Sequence, residues 1–181
     1  LNVPCKWYEA SLYNESTGNS IKGFTLPGGP EVVIGSNNSI SWGITNLMAD
    51  DSDFYIFDLD KSNKQQYIYD GTVYALDSTV EAIKIKDEAD EFIFTSYSTK
   101  AGPVVSGLEK TGFINEMSIR KEENRIIVFR WTGYEMSDEV GAIHKVNTAQ
   151  NWAEFTDALK TFGVPALSFI YSDTAGNIGY K

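Results

Sequence analysis

Apolar and polar positions first fall into a regular pattern at residues 7–13, where Trp7, Glu9, Ser11 and Tyr13 alternate with Tyr8, Ala10 and Leu12. A two-residue period is that of a strand with one buried face. Further on, Glu31-Val32-Val33-Ile34 and Ile40-Ser41-Trp42-Gly43-Ile44 flank Gly35-Ser36-Asn37-Asn38-Ser39. Asn and Gly tolerate positive φ, so this segment predicts a hairpin or tight loop. Leu26-Pro27-Gly28-Gly29-Pro30 can continue neither a helix nor a central strand and predicts a turn. From residue 50 to 106, strand-like pieces at 54–57, 66–69, 80–85 and 91–97 alternate with polar segments. That spacing suits a small β roll or barrel-like subdomain. Residues 126–131, Ile-Ile-Val-Phe-Arg-Trp, predict a strand buried on both faces.

Helical periodicity begins only afterwards. Residues 138–146 place Val140, Ala142 and Ile143 near one stripe. In the next segment Asn151 is positioned to cap exposed amides and Glu154, three residues on, to reach back. Phe155, Leu159 and Phe162 then share a face at i, i+4 and i+7, Gly163 predicts a left-handed stop, and Pro165 forbids continuation. Residues 166–171 and 177–180 read as two strands around Asp173-Thr174-Ala175-Gly176. The expected class is α+β, mostly β.

Composition narrows the function classes. The 181 residues are 42% hydrophobic and 13% aromatic, enough for a core of ordinary size. Fifteen basic residues against 25 acidic ones give a net charge of −10, and no Lys/Arg cluster is large enough to follow a phosphate backbone. Nucleic acid is therefore not an expected partner. No apolar run is long enough for a membrane span. The single cysteine, Cys5, excludes an internal disulfide and reads as a small buried or partly buried thiol. The single histidine, His144, lies in the first helical segment without a Ser or Cys constellation near it, and reads as a surface or packing residue.

One segment resists the strand pattern: an apolar run breaks into Ala49-Asp50-Asp51-Ser52-Asp53 and resumes at once with Phe54-Tyr55-Ile56-Phe57. Three carboxylates packed this closely repel unless a cation or solvent intervenes, and hard cations prefer several oxygens. The spacing is not that of an EF-hand. From the residues alone, a metal loop and a solvated acidic turn both stand.

Three ordered blocks then carry a resemblance. "GFTLPGGPEVVIGSNNSISWGITN" (23–46), "NTAQNWAEFTDAL" (147–159) and "FIYSDTAGNIGY" (169–180) resemble the signatures of the penicillin acylase (penicillin amidase) family of N-terminal-nucleophile amide hydrolases. Trp7-Tyr8-Glu9-Ala10 and Gly102-Pro103-Val104-Val105-Ser106 match weaker blocks. The chain is similar to the central part of the family's catalytic chain. The resemblance implies a partial αββα core from residues 1–49 and 125–181, with an inserted β subdomain at 50–124. It implies hydrolysis of a non-peptide amide through an acyl-enzyme on an N-terminal Ser expected upstream of Leu1, so that this chain alone is expected to be inactive. The implied partners are a small acyl amide and the remaining segments of the parent acylase.

The resemblance also assigns site residues. The backbone amide of Asn46 is implied as an oxyanion donor, and Leu47 and Met48 as lining of the acyl pocket. A structural calcium ion, with no organic cofactor, is implied at Asp50, Ser52 and Asp53, with Asp173 a further candidate. Two positions depart from the family pattern: Ser168 stands where the oxyanion Asn is expected, and Ser36 replaces a His. Losing one oxyanion donor costs about 3 kcal/mol of transition-state stabilisation. The departures leave three forms open: a weakened acylase, one with a different second donor, or a relative without activity. The alternative from another class is a non-catalytic calcium- or ligand-binding β-rich module. The sequence itself assigns no compartment, and the resemblance tilts toward a periplasmic or extracellular one.

Overall fold

The computed structural model describes residues 5–106 and 124–181, which divide into two compact units: residues 5–51 with 135–181, and residues 52–106 with 124–134. The first unit is built on a six-stranded antiparallel sheet. Its strands are β1 (Tyr8–Asn14), β2 (Asn19–Thr25), β3 (Ile34–Ser36) and β4 (Ile40–Asn46), then β12 (Leu167–Asp173) and β13 (Ile178–Tyr180), in that spatial order. The β3–β4 hairpin forms where the Asn-rich segment predicts it, but Glu31, Val32 and Val33 lie outside a strand. Val33 instead donates its amide to Phe24 O at 2.9 Å, and its carbonyl accepts from Trp42 Nε1 at 3.0 Å. β2 and β3 approach closely where Gly23 pairs with Gly35, since a Cβ on Gly35 would strike the Lys22 carbonyl oxygen.

Two helices cover one face of this sheet. α1 (Glu139–Thr148) starts at Asp138, whose side chain accepts from the Gly141 amide, and α2 (Trp152–Ala158) starts at Asn151, whose side chain accepts from the Glu154 amide. Glu154 Oε2 reaches back to the Gln150 amide at 2.9 Å, closing the predicted capping arrangement one residue earlier than expected. Ile143, Val146, Phe155, Ala158 and Leu159 pack with Val32, Ile40, Trp42, Phe169 and Tyr171 into one core. Val140, expected on the buried stripe, is 64% exposed: Ala142, Ile143, Val146 and Asn147 form the inward face instead.

The second correction concerns Gly163. A short 3-10 turn at Leu159–Thr161 ends the helix, and Phe162 leaves it in extended geometry at φ −81° and ψ 113°. Gly163 is not among the positive-φ residues; a Cβ there would meet the Ser137 side chain at 2.7 Å, so close approach explains the glycine.

The second unit contains two antiparallel sheets. One has the order β11 (Arg125–Trp131), β5 (Ser52–Leu59), β6 (Gln66–Tyr69), β7 (Thr72–Ala75), and the other β10 (Gly102–Pro103), β9 (Phe92–Thr99), β8 (Asp77–Ile83). Its core gathers Phe57, Tyr67, Ile126 and Val128, with Tyr67 stacked on Phe57 at 5.5 Å. β11 pairs along its whole length with β5, so residues 125–131 belong to this unit. The expectation from sequence had assigned them to the first unit.

Candidate active site

The β4–β12 pair places the residues singled out from the sequence. Its register sets Thr45 opposite Ser168 and Asn46 opposite Leu167, and just beyond the pair the Leu47 amide donates to Ala166 O at 3.0 Å. Residues of an antiparallel strand alternate in the edge to which their N–H groups point. Leu47 bonds toward β12, so Asn46 directs its N–H toward the β3 edge. β3 pairs with β4 only at Gly35–Trp42 and Ser36–Ser41. The Asn46 amide therefore lies past the end of that ladder, and no hydrogen bond from it appears among the described bonds outside the ladders.

The chain turns immediately after this amide. Asn46 Oδ1 accepts from the Met48 amide at 2.9 Å, and Met48 has φ 57°. A left-handed backbone is uncommon for Met, costs energy, and persists only where its surroundings fix it. Met48 is 81% exposed and Leu47 is exposed beside it. Leu47 also borders a cavity of about 200 Å³ lined by Leu159, Phe162, Pro165, Leu167 and Phe169. Leu47 thus has an apolar hollow at hand, while Met48 projects away from protein.

Ser168 lies on the sheet face opposite the helices, because its strand neighbours Phe169 and Tyr171 enter the core. It is only 5% exposed, and its hydroxyl is 2.8 Å from the Tyr180 hydroxyl. Sequence reasoning missed Tyr180. The signal was available: Ser168 and Tyr180 fall on the same face once the turn at residues 173–176 pairs the two final strands.

That turn is fixed by Asp173. Its carboxylate accepts from the Ala175 and Asn177 amides at 3.0 and 2.9 Å, from Asn177 Nδ2, and from the Tyr171 hydroxyl at 2.9 Å. The Asn177 side chain, followed by its amide, holds the Asp173 carboxyl below the usual range. Burial, and then donation to Asp173, pushes the Tyr171 phenol up to about 12. Asp173 thus has a structural use in closing the β12–β13 connection.

The acidic segment divides between the two units: Asp50 and Asp51 belong to the first, Ser52 and Asp53 to the second. Ser52 and Asp53 are strand residues of β5, paired with Trp131 and Arg130. Asp53 and Arg130 are cross-strand partners, so residues of opposite charge stand opposite one another on the two strands. Among the described residues, no three His, Cys, Asp or Glu side chains gather closely enough to hold an ion by themselves. A calcium site here would draw on carbonyl oxygens as well as on carboxylates. Ser36 pairs with Ser41 on the face shared with Ser168. His144 lies on the surface, with Nδ1 3.8 Å from Glu31, and Cys5 is partly buried and unpaired.

Comparison with known proteins converges on one family. The family model described as penicillin amidase matches residues 1–181. The penicillin G acylase of Escherichia coli is 27% identical over 179 residues, covering 96% of this chain and 20% of that protein. The acyl-homoserine lactone acylase PvdQ of Pseudomonas fluorescens is 24% identical over 168 residues, 88% of this chain and 20% of its own length. Among solved structures, a thermostable penicillin G acylase from Alcaligenes faecalis superposes with a TM-score of 0.78 at 27% identity, covering 98% of this chain and 30% of that one. The chain thus spans about a fifth of the length of the curated relatives it matches. Among the described residues no helix is long and apolar enough to cross a membrane.

Proposed function

The chain belongs to the penicillin amidase family, and on that footing we propose that it forms part of an amidohydrolase that cleaves the acyl group from a small N-acyl amide. The observation that carries this reading is the Asn46 amide, left beyond the β3 ladder at the end of a strand and followed by a tight turn. A backbone N–H held by a sheet, and without a partner among the described bonds outside the ladders, suits a developing oxyanion, because it requires no reorganisation during reaction.

The reaction assigned to it runs through an acyl-enzyme. A nucleophile outside these residues, an N-terminal Ser activated by its own α-amino group, attacks the amide carbon, and the carbonyl electron pair moves onto oxygen. The Asn46 amide and the Ser168 hydroxyl donate to that oxygen. The tetrahedral species then collapses, expelling the protonated amine, and water releases the acid. Leu47 and Met48 contribute apolar surface to the acyl group. Family names support acyl-β-lactams and acyl-homoserine lactones as substrate classes.

Two further parts of the proposal rest on the family. The exposed residues Phe24, Ile170, Ile178 and Tyr180 share the sheet face away from the helices, a surface suited to further segments of a longer acylase chain. A structural calcium ion is proposed at Asp50, Ser52 and Asp53, with carbonyl oxygens completing the shell.

The test is hydrolysis of a panel of N-acyl amides by the full-length protein, followed as release of the free amine. The panel spans arylacetyl amides and medium- to long-chain acyl-homoserine lactones. Turnover of at least one class is expected. Absence of turnover across the panel, with calcium binding retained, would favour the non-catalytic binding module instead.

A further inference from the structure

Ser168 and Tyr180 are diagonal neighbours on the face of the sheet opposite the helices. Ile170 pairs directly with Tyr180, and Ser168 lies two residues back along β12. Diagonal neighbours lie beyond the reach of small side chains but within that of a tyrosine. The phenol spans the gap, bringing the two hydroxyls to 2.8 Å. Ser168 is 5% exposed, whereas Tyr180 is 65% exposed. One hydroxyl belongs to a buried residue, and the other reaches it from a largely exposed one.

We propose that Tyr180 is a positioning residue for the oxyanion hole: its hydroxyl donates to Ser168 Oγ, so that the Ser168 proton is presented to the oxyanion. The inference rests on the acylase reading above and adds a residue to its machinery. A serine hydroxyl has one proton and two lone pairs, and its proton rotates freely unless a partner fixes it. Of the two hydroxyls the phenol is the more acidic, hence the better donor. With one Ser168 lone pair occupied by Tyr180, the serine proton is directed elsewhere, and accepting a hydrogen bond strengthens the serine as a donor. Ser168 sits opposite Thr45, the residue preceding Asn46, so serine hydroxyl and backbone amide flank the same end of the β4–β12 pair. A short hydroxyl supported by a phenol would thus take the role of a longer amide side chain.

The alternative is that the contact only ties β13 to β12. The two readings separate in kinetics of the full-length enzyme on its best N-acyl amide, comparing Tyr180→Phe, Ser168→Ala, the double variant, Ser168→Asn and Ser168→Asn/Tyr180→Phe. Phenylalanine keeps the ring and its packing and removes only the hydroxyl, so the variant isolates the contact with Ser168. Ser168→Ala is expected to lower kcat about 100-fold, with KM changed by less than about twofold. Tyr180→Phe is expected to lower kcat about tenfold, also without a matching change in KM. Adding Tyr180→Phe to Ser168→Ala should cost nothing more, because the phenol acts through the serine. Adding it to Ser168→Asn should likewise have no effect, since the amide needs no hydroxyl partner. A Tyr180→Phe enzyme with wild-type kcat, or losses that multiply in the Ser168→Ala/Tyr180→Phe enzyme, would overturn the inference and leave the acylase reading intact. A wild-type enzyme inactive on every amide would overturn both.

Discussion

Asn147 and Glu139 show how single side chains hold the sheet and helices of the first unit in register. Asn147 is 3% exposed and clamps Val32 from both sides, donating Nδ2 to its carbonyl at 2.7 Å and accepting from its amide at 2.9 Å. This satisfies backbone groups of a segment that has left the strand, groups that would otherwise be buried unpaired. Glu139 ties the start of α1 to the end of the 3-10 turn, accepting from the Ser137 hydroxyl and from the Gly163 and Val164 amides at 3.1 and 3.0 Å. The Ser137 hydroxyl, helped by the amides and opposed by burial, holds its carboxyl down from 4.5 to about 2. A carboxyl whose folded pKa is depressed stabilises the fold above its unfolded value and loses that contribution as pH falls through the folded one. The wild type should therefore be more stable than Glu139→Gln at neutral pH, with the difference shrinking between 4.5 and about 2. Urea unfolding of both proteins across that interval checks it. A difference independent of pH would contradict the assignment.

At the scale of elements, the sequence was most legible where a clear period meets a turn or cap residue, even in β1, whose expected buried face is largely exposed. Residues 7–13, the 35–39 hairpin, the capped α2 and the two final strands each combine a clear period with a turn or cap residue, and each stands in the structure; α2 ends four residues early, where a 3-10 turn takes over, and the other ends shift by three residues at most. Some features were missed or misread, for separate reasons. β7 returns from β6 through Asp70-Gly71, both at positive φ, a two-residue hairpin signal that the spacing of the longer apolar pieces hides. Gly163 is required by close approach to Ser137, a long-range contact that imitates a helix-stop signal. Of the proposed site, Asn46, Leu47, Met48 and Ser168 were put forward from the family blocks, whereas Tyr180 depended on strand register. The acidic segment divides between a connection and the first residues of β5, where Asp53 meets Arg130. For the proposed ion, calcium should raise the melting temperature of the full-length protein relative to a chelator-treated sample, and Asp50→Asn should remove that rise. Equal melting temperatures with and without calcium would contradict a structural ion.

At the scale of the whole molecule, the first unit has helices on one face of its sheet and exposed apolar residues on the other. The Asn46 amide and Ser168 lie at one end of the central β4–β12 pair, and the chain covers about a fifth of the length of its acylase relatives. These features agree with a segment that supplies oxyanion donors to a nucleophile held elsewhere in a longer protein. The central claim is that this nucleophile is an N-terminal residue exposed by self-cleavage. Its most direct test is the intact mass and N-terminal sequence of the protein expressed from its complete reading frame. Two chains are predicted, one of them beginning with Ser, Thr or Cys upstream of Leu1. A single uncut chain, with no such residue at a new N-terminus, would contradict it.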